Sequence, residues 1–142
     1  NMSSLAGVVG LPFTGHYCAT KFALEGLSEC LRYEMRPYGV HVVLVEPGDY
    51  RTGIQANRRT SSETQQGAYA QAFDRFLQKR QAFAARAPTA EPVAALVEKI
   101  LNDHAPRLRY VVAMPGQKLL PLLRRLLPQG VYEACFRRLL GL

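Results

Sequence analysis

A chain of 142 residues is long enough to bury one core, and its 48% of apolar residues excludes a disordered polar chain. Lys and Arg number 18 against 11 Asp and Glu, which gives a formal net charge of +7. These basic residues form no run longer than a pair and accompany no nucleic-acid-binding motif, so we expect no nucleic acid partner.

The spacing of the cysteines and the hydropathy of the chain indicate in which cellular compartment the protein is expected. Cys18, Cys30 and Cys135 are odd in number and irregularly spaced, which is typical of a reducing environment. No apolar run approaches the roughly 18 residues of a spanning helix, and the opening Asn1-Met2-Ser3-Ser4 does not resemble a signal peptide. We therefore expect a cytoplasmic protein.

The first predicted element is a helix over about residues 16–38. Thr14 is placed to cap its start, and Pro37 followed by Gly39 to end it. Apolar side chains recur within it at three- and four-residue steps, which predicts one buried face. The members of this predicted inward face are Ala19, Phe22, Ala23, Gly26, Leu27, Cys30 and Leu31.

Strands then alternate with helices. An apolar, β-branched run over residues 40–45 predicts a buried strand that ends at Pro47-Gly48. Helices are predicted over residues 61–86 and 89–102, the second capped by Thr89, and a last strand over residues 108–113. This order predicts an α/β fold with a parallel sheet and helices on its faces.

Two short motifs stand where strands of the predicted sheet end. Ligands of parallel α/β sheets bind at the carboxyl ends of the strands. Ser3-Ser4 and Pro47-Gly48 both occupy such positions, so we expect them to form one site rather than two.

Tyr17 and Lys21 are four residues apart, so a helix brings them to one face. A phenol holds its proton too tightly to act as a base near neutral pH, whereas a neighbouring ammonium lowers its pKa. The pair therefore suits proton transfer to and from an alcohol or carbonyl oxygen.

Three motifs stand together near the start of the chain. Ser3-Ser4-Leu5-Ala6-Gly7 precedes Tyr17-Cys18-Ala19-Thr20-Lys21, and Pro47-Gly48-Asp49-Tyr50-Arg51-Thr52 follows the first predicted strand. In these motifs and their spacing, residues 1 to about 54 resemble the short-chain dehydrogenase/reductase family, and later elements keep the family's order to about residue 116.

The resemblance implies a role for each motif residue. Tyr17 is the proton donor and acceptor, Ser4 hydrogen-bonds the substrate oxygen, and Lys21 tunes Tyr17 and binds ribose hydroxyls of NAD or NADP. Pro47-Gly48 lies along the nicotinamide, and Thr52 bonds its carboxamide. In this family the helix that carries Tyr17 also belongs to a four-helix interface, which implies a homo-oligomer.

The family's glycine-rich, nucleotide-binding half does not occur in this sequence. The resemblance therefore implies a partial doubly wound parallel sheet, the C-terminal half of a Rossmann-type domain over residues 1–116, followed by a helical C-terminal tail over residues 117–142. We expect this piece to belong to a longer chain and to be inactive alone.

The substrate class is suggested by local similarity. Residues 10–13 and 22–27 are similar to the hydroxysteroid and retinol dehydrogenase branch, which implies a small, lipophilic alcohol or carbonyl compound as substrate. An aromatic series in the helix over 61–86 either packs that helix or covers a pocket for such a substrate. Its members are Tyr69, Phe73, Phe76 and Phe83.

The tail is basic and rich in leucine, which leaves two interpretations open. It is an amphipathic helix packed on its own domain or on a subunit partner, or a helix that contacts a membrane surface. Its charged residues are Lys118, Arg124, Arg125, Arg137 and Arg138 against Glu133, a net charge of +4.

Other functions receive less support from the sequence. His16, His41 and His104 lack Cys or carboxylate partners at metal spacing, so we expect no metal site. The nucleophile elbow of a Ser-His-Asp hydrolase does not occur. The alternatives that remain are a non-catalytic relative of the family and a membrane-surface binding protein that uses the tail; the complete Ser, Tyr and Lys set argues against the first.

Overall fold

The computed structural model describes residues 1–54, 56–62 and 66–141. Within them a short 3-10 turn, Leu5–Gly7, precedes the first helix. The helices are α1 (Gly15–Met35), α2 (Ala70–Ala85), α3 (Glu91–Leu101), α4 (Pro115–Lys118), α5 (Leu120–Leu126) and α6 (Gln129–Leu140), and the strands are β1 (Leu44–Pro47) and β2 (Arg109–Val112).

The sheet is parallel, as predicted. β1 pairs with β2 in a register that runs from Leu44 opposite Arg109 to Pro47 opposite Val112. The N-terminal segment adds a parallel bridge between Met2 and Val45 on the other edge of β1. β1 is therefore the central element, and its Leu44 is fully buried because both edges and both faces are covered.

The buried face of α1 differs from the predicted one. Phe22 and Leu27 of the predicted inward face are 38% and 55% exposed, and Ala19, Ala23, Gly26 and Cys30 are exposed as well. The prediction was wrong because it assumed that the apolar face of a helix is the one that meets the sheet.

A polar stripe at helical spacing faces inward instead. Ser28 is fully buried and its hydroxyl accepts a hydrogen bond from the Asn1 side chain at 2.8 Å. Arg32 donates to the carbonyl oxygens of Val42 and Pro106 at 2.7 and 2.8 Å. Ser28 also donates to the carbonyl oxygen of Leu24 at 2.7 Å, so both polar side chains tolerate burial because they are hydrogen-bonded.

Several predicted boundaries move by a few residues. β1 begins at Leu44 rather than at residue 40, and α2 begins at Ala70, although residues 63–65 of its predicted span lie outside the described residues. Thr14 stands at the N-cap position but its hydroxyl donates to the Leu11 carbonyl oxygen at 2.9 Å and makes no cap bond. Ala90, not Thr89, holds the N-cap position of α3.

The described chain forms two compact units, residues 1–48 with 90–122 and residues 49–89 with 123–142. The second unit has its own apolar core, to which α2 and α6 contribute Phe73, Phe76, Tyr132 and Leu140, each at most 8% exposed. Packing therefore explains Phe73 and Phe76 of the aromatic series, whereas Tyr69 is 69% exposed. The predicted division at residue 116 refers to the whole Rossmann-type domain and stays a prediction.

No described helix is long and apolar enough to cross a membrane. The described residues also contain no group of three His, Cys, Asp or Glu side chains arranged to hold a metal ion. Cys18 is buried and Cys30 and Cys135 are exposed, all three as free thiols.

Candidate active site

Ser4 lies where the N-terminal segment leaves the sheet. Its backbone is extended and its Oγ caps the turn Leu5–Gly7 by accepting from the N–H of Ala6 at 3.1 Å. The same hydroxyl donates to the carbonyl oxygen of Pro47 at 3.4 Å. The carboxyl ends of two neighbouring strand segments thus meet at Ser4, as the sequence predicted for Ser4 and Pro47.

Tyr17 and Lys21 occupy the first turns of α1 in the same unit. The Nζ of Lys21 lies 5.7 Å from the centroid of the Tyr17 ring, so the two side chains share one side of the helix. That Nζ also donates to the carbonyl oxygen of Met2 at 2.9 Å. Met2 therefore holds the ammonium beside the phenol, while the Tyr17 side remains accessible at 38% exposure.

Gly7 determines how closely α1 approaches the 3-10 turn. A Cβ on Gly7 would lie 2.7 Å from the Oγ of Ser3 and 3.2 Å from the backbone oxygen of Lys21. Both distances are shorter than ordinary carbon–oxygen contacts. The absence of a side chain at this position lets the turn that carries Lys21 lie against the end of the N-terminal segment.

Gly48 is held against the end of β2. Its N–H donates to the carbonyl oxygen of Val112 at 2.9 Å. A Cβ at this position would come within 2.6 Å of the Ala113 Cβ and would also collide with the Gln117 side chain. Pro47-Gly48 therefore forms a close-packed turn in which position 48 accommodates only glycine.

Thr52 belongs to the second unit, unlike the other predicted site residues. It is exposed, and its hydroxyl accepts from the N–H of Ile54 at 3.4 Å. Nearby in that unit, Asp49 forms a two-pronged ion pair with Arg80 at 2.6 and 2.8 Å, and burial raises the pKa of the Tyr50 phenol. Asp49 thus has a structural role.

A partly buried ionic cluster joins α1 to the sheet. The Nε of Arg109 is 3.0 Å from Glu25 and 3.4 Å from Glu46, and its Nη2 is 2.5 Å from Glu29. Glu25 and Glu46 are only 5% and 2% exposed. We call these four residues the Arg109 cluster.

One guanidinium cannot compensate the three carboxylates of the Arg109 cluster. Burial first, and then the charge of Glu25, raise the pKa of Glu46 to about 7, against the opposing effect of Arg109. One oxygen of Glu25 and one of Glu46 have no hydrogen-bond partner among the described residues, and neither has the hydroxyl of Ser3. A proton held on Glu46 relieves the repulsion between two buried carboxylates.

The Arg109 cluster and the role of Met2 were not predicted from the sequence. A signal for the cluster was present: Glu46 directly follows one apolar run predicted as a buried strand, Arg109 interrupts the other, and buried charges are paired. For Met2 no signal existed, because its contribution is a backbone oxygen.

An open cleft of about 280 Å³ lies elsewhere in the first unit and includes none of the predicted site residues. Two of its lining residues are Arg32 and His41, and the guanidinium of Arg32 already binds two carbonyl oxygens. We therefore do not regard the cleft as the candidate active site.

Comparison with known proteins supplies an independent result. The family model described as short chain dehydrogenase matches residues 1–63. The chain is 36% identical over 138 residues to a 3-ketodihydrosphingosine reductase from Bacteroides thetaiotaomicron, covering 96% of this chain and 51% of that protein. It is 38% identical over 126 residues to human 17-beta-hydroxysteroid dehydrogenase type 1, covering 85% of this chain and 38% of that protein.

A solved structure agrees with these relatives. A short-chain dehydrogenase/reductase from Burkholderia phymatum in complex with NAD superposes with a TM-score of 0.64 at 28% identity, covering 88% of this chain and 45% of that one. The chain thus spans about half the length of the relatives that it matches. Together with the motifs and the parallel sheet, these similarities establish that the chain belongs to the short-chain dehydrogenase/reductase family.

Proposed function

We propose that the protein containing this chain is an oxidoreductase that interconverts an alcohol and a ketone or aldehyde, with NAD or NADP as cofactor. The observation that carries this proposal is the ammonium of Lys21 fixed 5.7 Å from the ring of an accessible Tyr17. The hydroxyl of Ser4 lies at the same carboxyl edge of the sheet. These are the groups that proton transfer at a substrate oxygen requires.

The residues present fit the nicotinamide and ribose end of such a cofactor. An ammonium has three N–H donors. Among the described residues Met2 takes one donor of Lys21, which leaves donors for ribose hydroxyls. Pro47-Gly48 and Thr52 are proposed to contact the nicotinamide and its carboxamide. The cofactor, when bound, donates hydride to the substrate carbon or accepts hydride from it.

The protein's own residues handle the substrate oxygen. During reduction, the O–H of Tyr17 donates its proton to the carbonyl oxygen as the carbon becomes an alcohol; during oxidation, the phenolate takes that proton back. Lys21 places its positive charge beside the ring of Tyr17. Ser4 donates a hydrogen bond to the substrate oxygen and keeps it near Tyr17. No metal is required for these steps.

We propose that the substrate is a small, lipophilic alcohol or carbonyl compound. The support is the similarity to two proteins whose names refer to 3-ketodihydrosphingosine and to a 17-beta-hydroxysteroid, both largely apolar molecules. We also propose that the enzyme acts in the cytoplasm.

A homo-oligomer is the proposed assembly. The apolar face of α1 supports it, since Phe22 and Leu27 are exposed at the two edges of this face and Ala23 and Gly26 are exposed between them. Contiguous exposed apolar patches of this kind mark interaction surfaces. A second copy of the protein is the partner that the family resemblance implies.

The proposal is tested by Tyr17→Phe in the full-length protein. Removing the phenolic oxygen takes away the proton donor, so we expect turnover with a panel of alcohols and ketones to fall by at least about 100-fold. Cofactor binding, followed by the fluorescence of the reduced nicotinamide, is expected to change little because the ring remains.

The matched control is Tyr33→Phe, on the same helix but 77% exposed, which is expected to leave turnover unchanged. Full activity of the Tyr17 variant would refute the assigned role. Absence of both cofactor binding and turnover in the wild-type protein would instead favour a non-catalytic relative.

A further inference from the structure

Four leucines near the C-terminal end of the chain share one exposed helical face. They stand at positions i, i+3, i+4 and i+7, which a helix aligns on one side. Leu119 precedes α5 in helical backbone conformation, and the others lie within α5. Their exposures are 52% for Leu119, 51% for Leu122, 39% for Leu123 and 68% for Leu126. We call this set the leucine stripe.

Exposure is not a general property of the tail. In α6 one side is covered: Tyr132 and Leu140 are only 8% and 5% exposed, although Val131 and Leu139 on its other side are 49% and 46% exposed. The ring of Tyr132 stacks on that of Phe136 at 5.4 Å. The interpretation of the tail as a helix packed on its own domain thus applies to α6. The leucine stripe has no such cover among the described residues.

The charged residues near the leucine stripe are all basic. Lys118 and Arg125 are exposed and seven residues apart, so they flank the same edge of the stripe, and Arg124 lies on the far side of α5. No Asp or Glu occurs from residue 104 to residue 132. The four exposed leucines are therefore flanked by two cations, Lys118 and Arg125, with no nearby acidic residue in the sequence.

We propose that the leucine stripe is a docking surface for an anionic membrane, on which this segment lies in the plane of the lipid headgroups. A helix that contacts a membrane in this way buries one apolar side in the acyl boundary and places cations beside anionic lipids. The proposal concerns contact with the surface only, since no described helix is long enough to span.

Charge argues against a second copy as the occupant. In a two-fold contact between identical stripes, the same patch faces itself. Lys118 and Arg125 of one copy would then approach their counterparts in the other copy, with no carboxylate of the segment to pair them. An anionic lipid surface satisfies the leucines and the cations together.

Vesicle flotation of the full-length protein tests this inference independently of any redox activity. Vesicles of phosphatidylcholine with about 30 mol% phosphatidylglycerol are compared with vesicles of phosphatidylcholine alone. We expect binding to the anionic vesicles, weakening as salt is raised, and little binding to the neutral ones. Equal binding to both, or binding to neither, would overturn the proposal.

Two pairs of substitutions separate the apolar and the ionic contributions. Leu122→Gln with Leu126→Gln is expected to weaken binding at least about tenfold, because two apolar side chains no longer leave water. Lys118→Gln with Arg125→Gln is expected to weaken it about 25-fold, since each cation near an anionic leaflet contributes about fivefold in affinity. Circular dichroism verifies folding, and if the leucine variant unfolds, the charge variant decides.

Matched controls come from exposed positions outside the stripe. Leu101→Gln, at a side chain that is 79% exposed, and the pair Arg75→Gln with Lys99→Gln are expected to bind vesicles as the wild-type protein does. Unchanged binding by both test pairs would overturn the proposal. So would a fall in molar mass, measured by light scattering, in the leucine variant alone, because the stripe would then join two copies.

Discussion

The proximity of Tyr17 and Lys21 has a local and a long-range cause. One helical turn brings the two side chains to the same side of α1. The bond from the Nζ of Lys21 to the carbonyl oxygen of Met2, 2.9 Å long, then selects the rotamer that keeps the ammonium near the ring. Gly7 allows this bond, because any side chain there would press on the backbone of Lys21.

One testable prediction at the level of single residues concerns the substitution Lys21→Gln. The substitution removes the ammonium that lies 5.7 Å from the centroid of the Tyr17 ring and that is proposed to bind ribose hydroxyls, so turnover at pH 7 is expected to fall about 100- to 1,000-fold. The measurement is the turnover rate of the full-length protein at saturating cofactor.

Lys99→Gln is the control for this measurement, since Lys99 is exposed in the last turn of α3. Its turnover is expected to match that of the wild-type protein. A Lys21 variant with wild-type turnover would contradict the proposed role of this ammonium in the site.

Among the elements, α1 combines two unlike faces. Toward the sheet it presents hydrogen-bonded and charged side chains, including Glu25 of the Arg109 cluster; away from the sheet it presents Phe22 and Leu27. Ion pairs therefore help to join this helix to β1 and β2. The consequence is that the attachment responds to pH.

The sign of that response follows from Glu46. Its pKa is raised from 4.5 to about 7 in the folded protein. The protonated form is the one that folding favours, so its stabilisation is fully present below pH 4.5 and is lost as the pH rises through about 7. The free energy of unfolding is expected to decrease by about 3 kcal/mol at most between pH 5 and pH 8.

Urea unfolding of the wild-type protein and of Glu46→Gln at these two pH values measures the effect. The amide cannot ionise, so the variant is expected to lose this pH dependence and to be the more stable protein at pH 8. Glu34→Gln, at an exposed position of α1, is expected to keep the wild-type dependence. Wild-type stability that rises from pH 5 to pH 8 would contradict the assignment.

At the scale of the molecule, the chain spans about half the length of its relatives. The described sheet contains β1, β2 and one bridged residue of the N-terminal segment, Met2. The sequence contains no glycine-rich turn of the kind that binds the phosphates of a dinucleotide.

The 142-residue chain alone is therefore expected not to bind NAD or NADP tightly. Isothermal calorimetry on the purified chain is the measurement, with the full-length protein as the positive control. Tight binding by the isolated chain would show that the phosphate contacts are dispensable and would contradict the proposed division into two halves.

The sequence by itself determined the family, the α/β class and the pairing of Tyr17 with Lys21, because these depend on short spacings and on local periodicity. It also indicated that Ser4 and Pro47 would meet, since parallel strands end at one edge. The buried face of α1 was predicted wrongly. Periodicity identifies an apolar face but not the surface that covers it.

Only the tertiary structure decided which polar groups share the interior. Arg109 lies more than 60 residues from Glu25 and Glu46 in the sequence, and the parallel register of β1 and β2 brings the three together. The hydrogen bond from Lys21 to the carbonyl oxygen of Met2 likewise depends on the tertiary structure. Such contacts depend on long-range pairing and on backbone atoms. All residue types share these atoms, so no sequence pattern predicts the contacts.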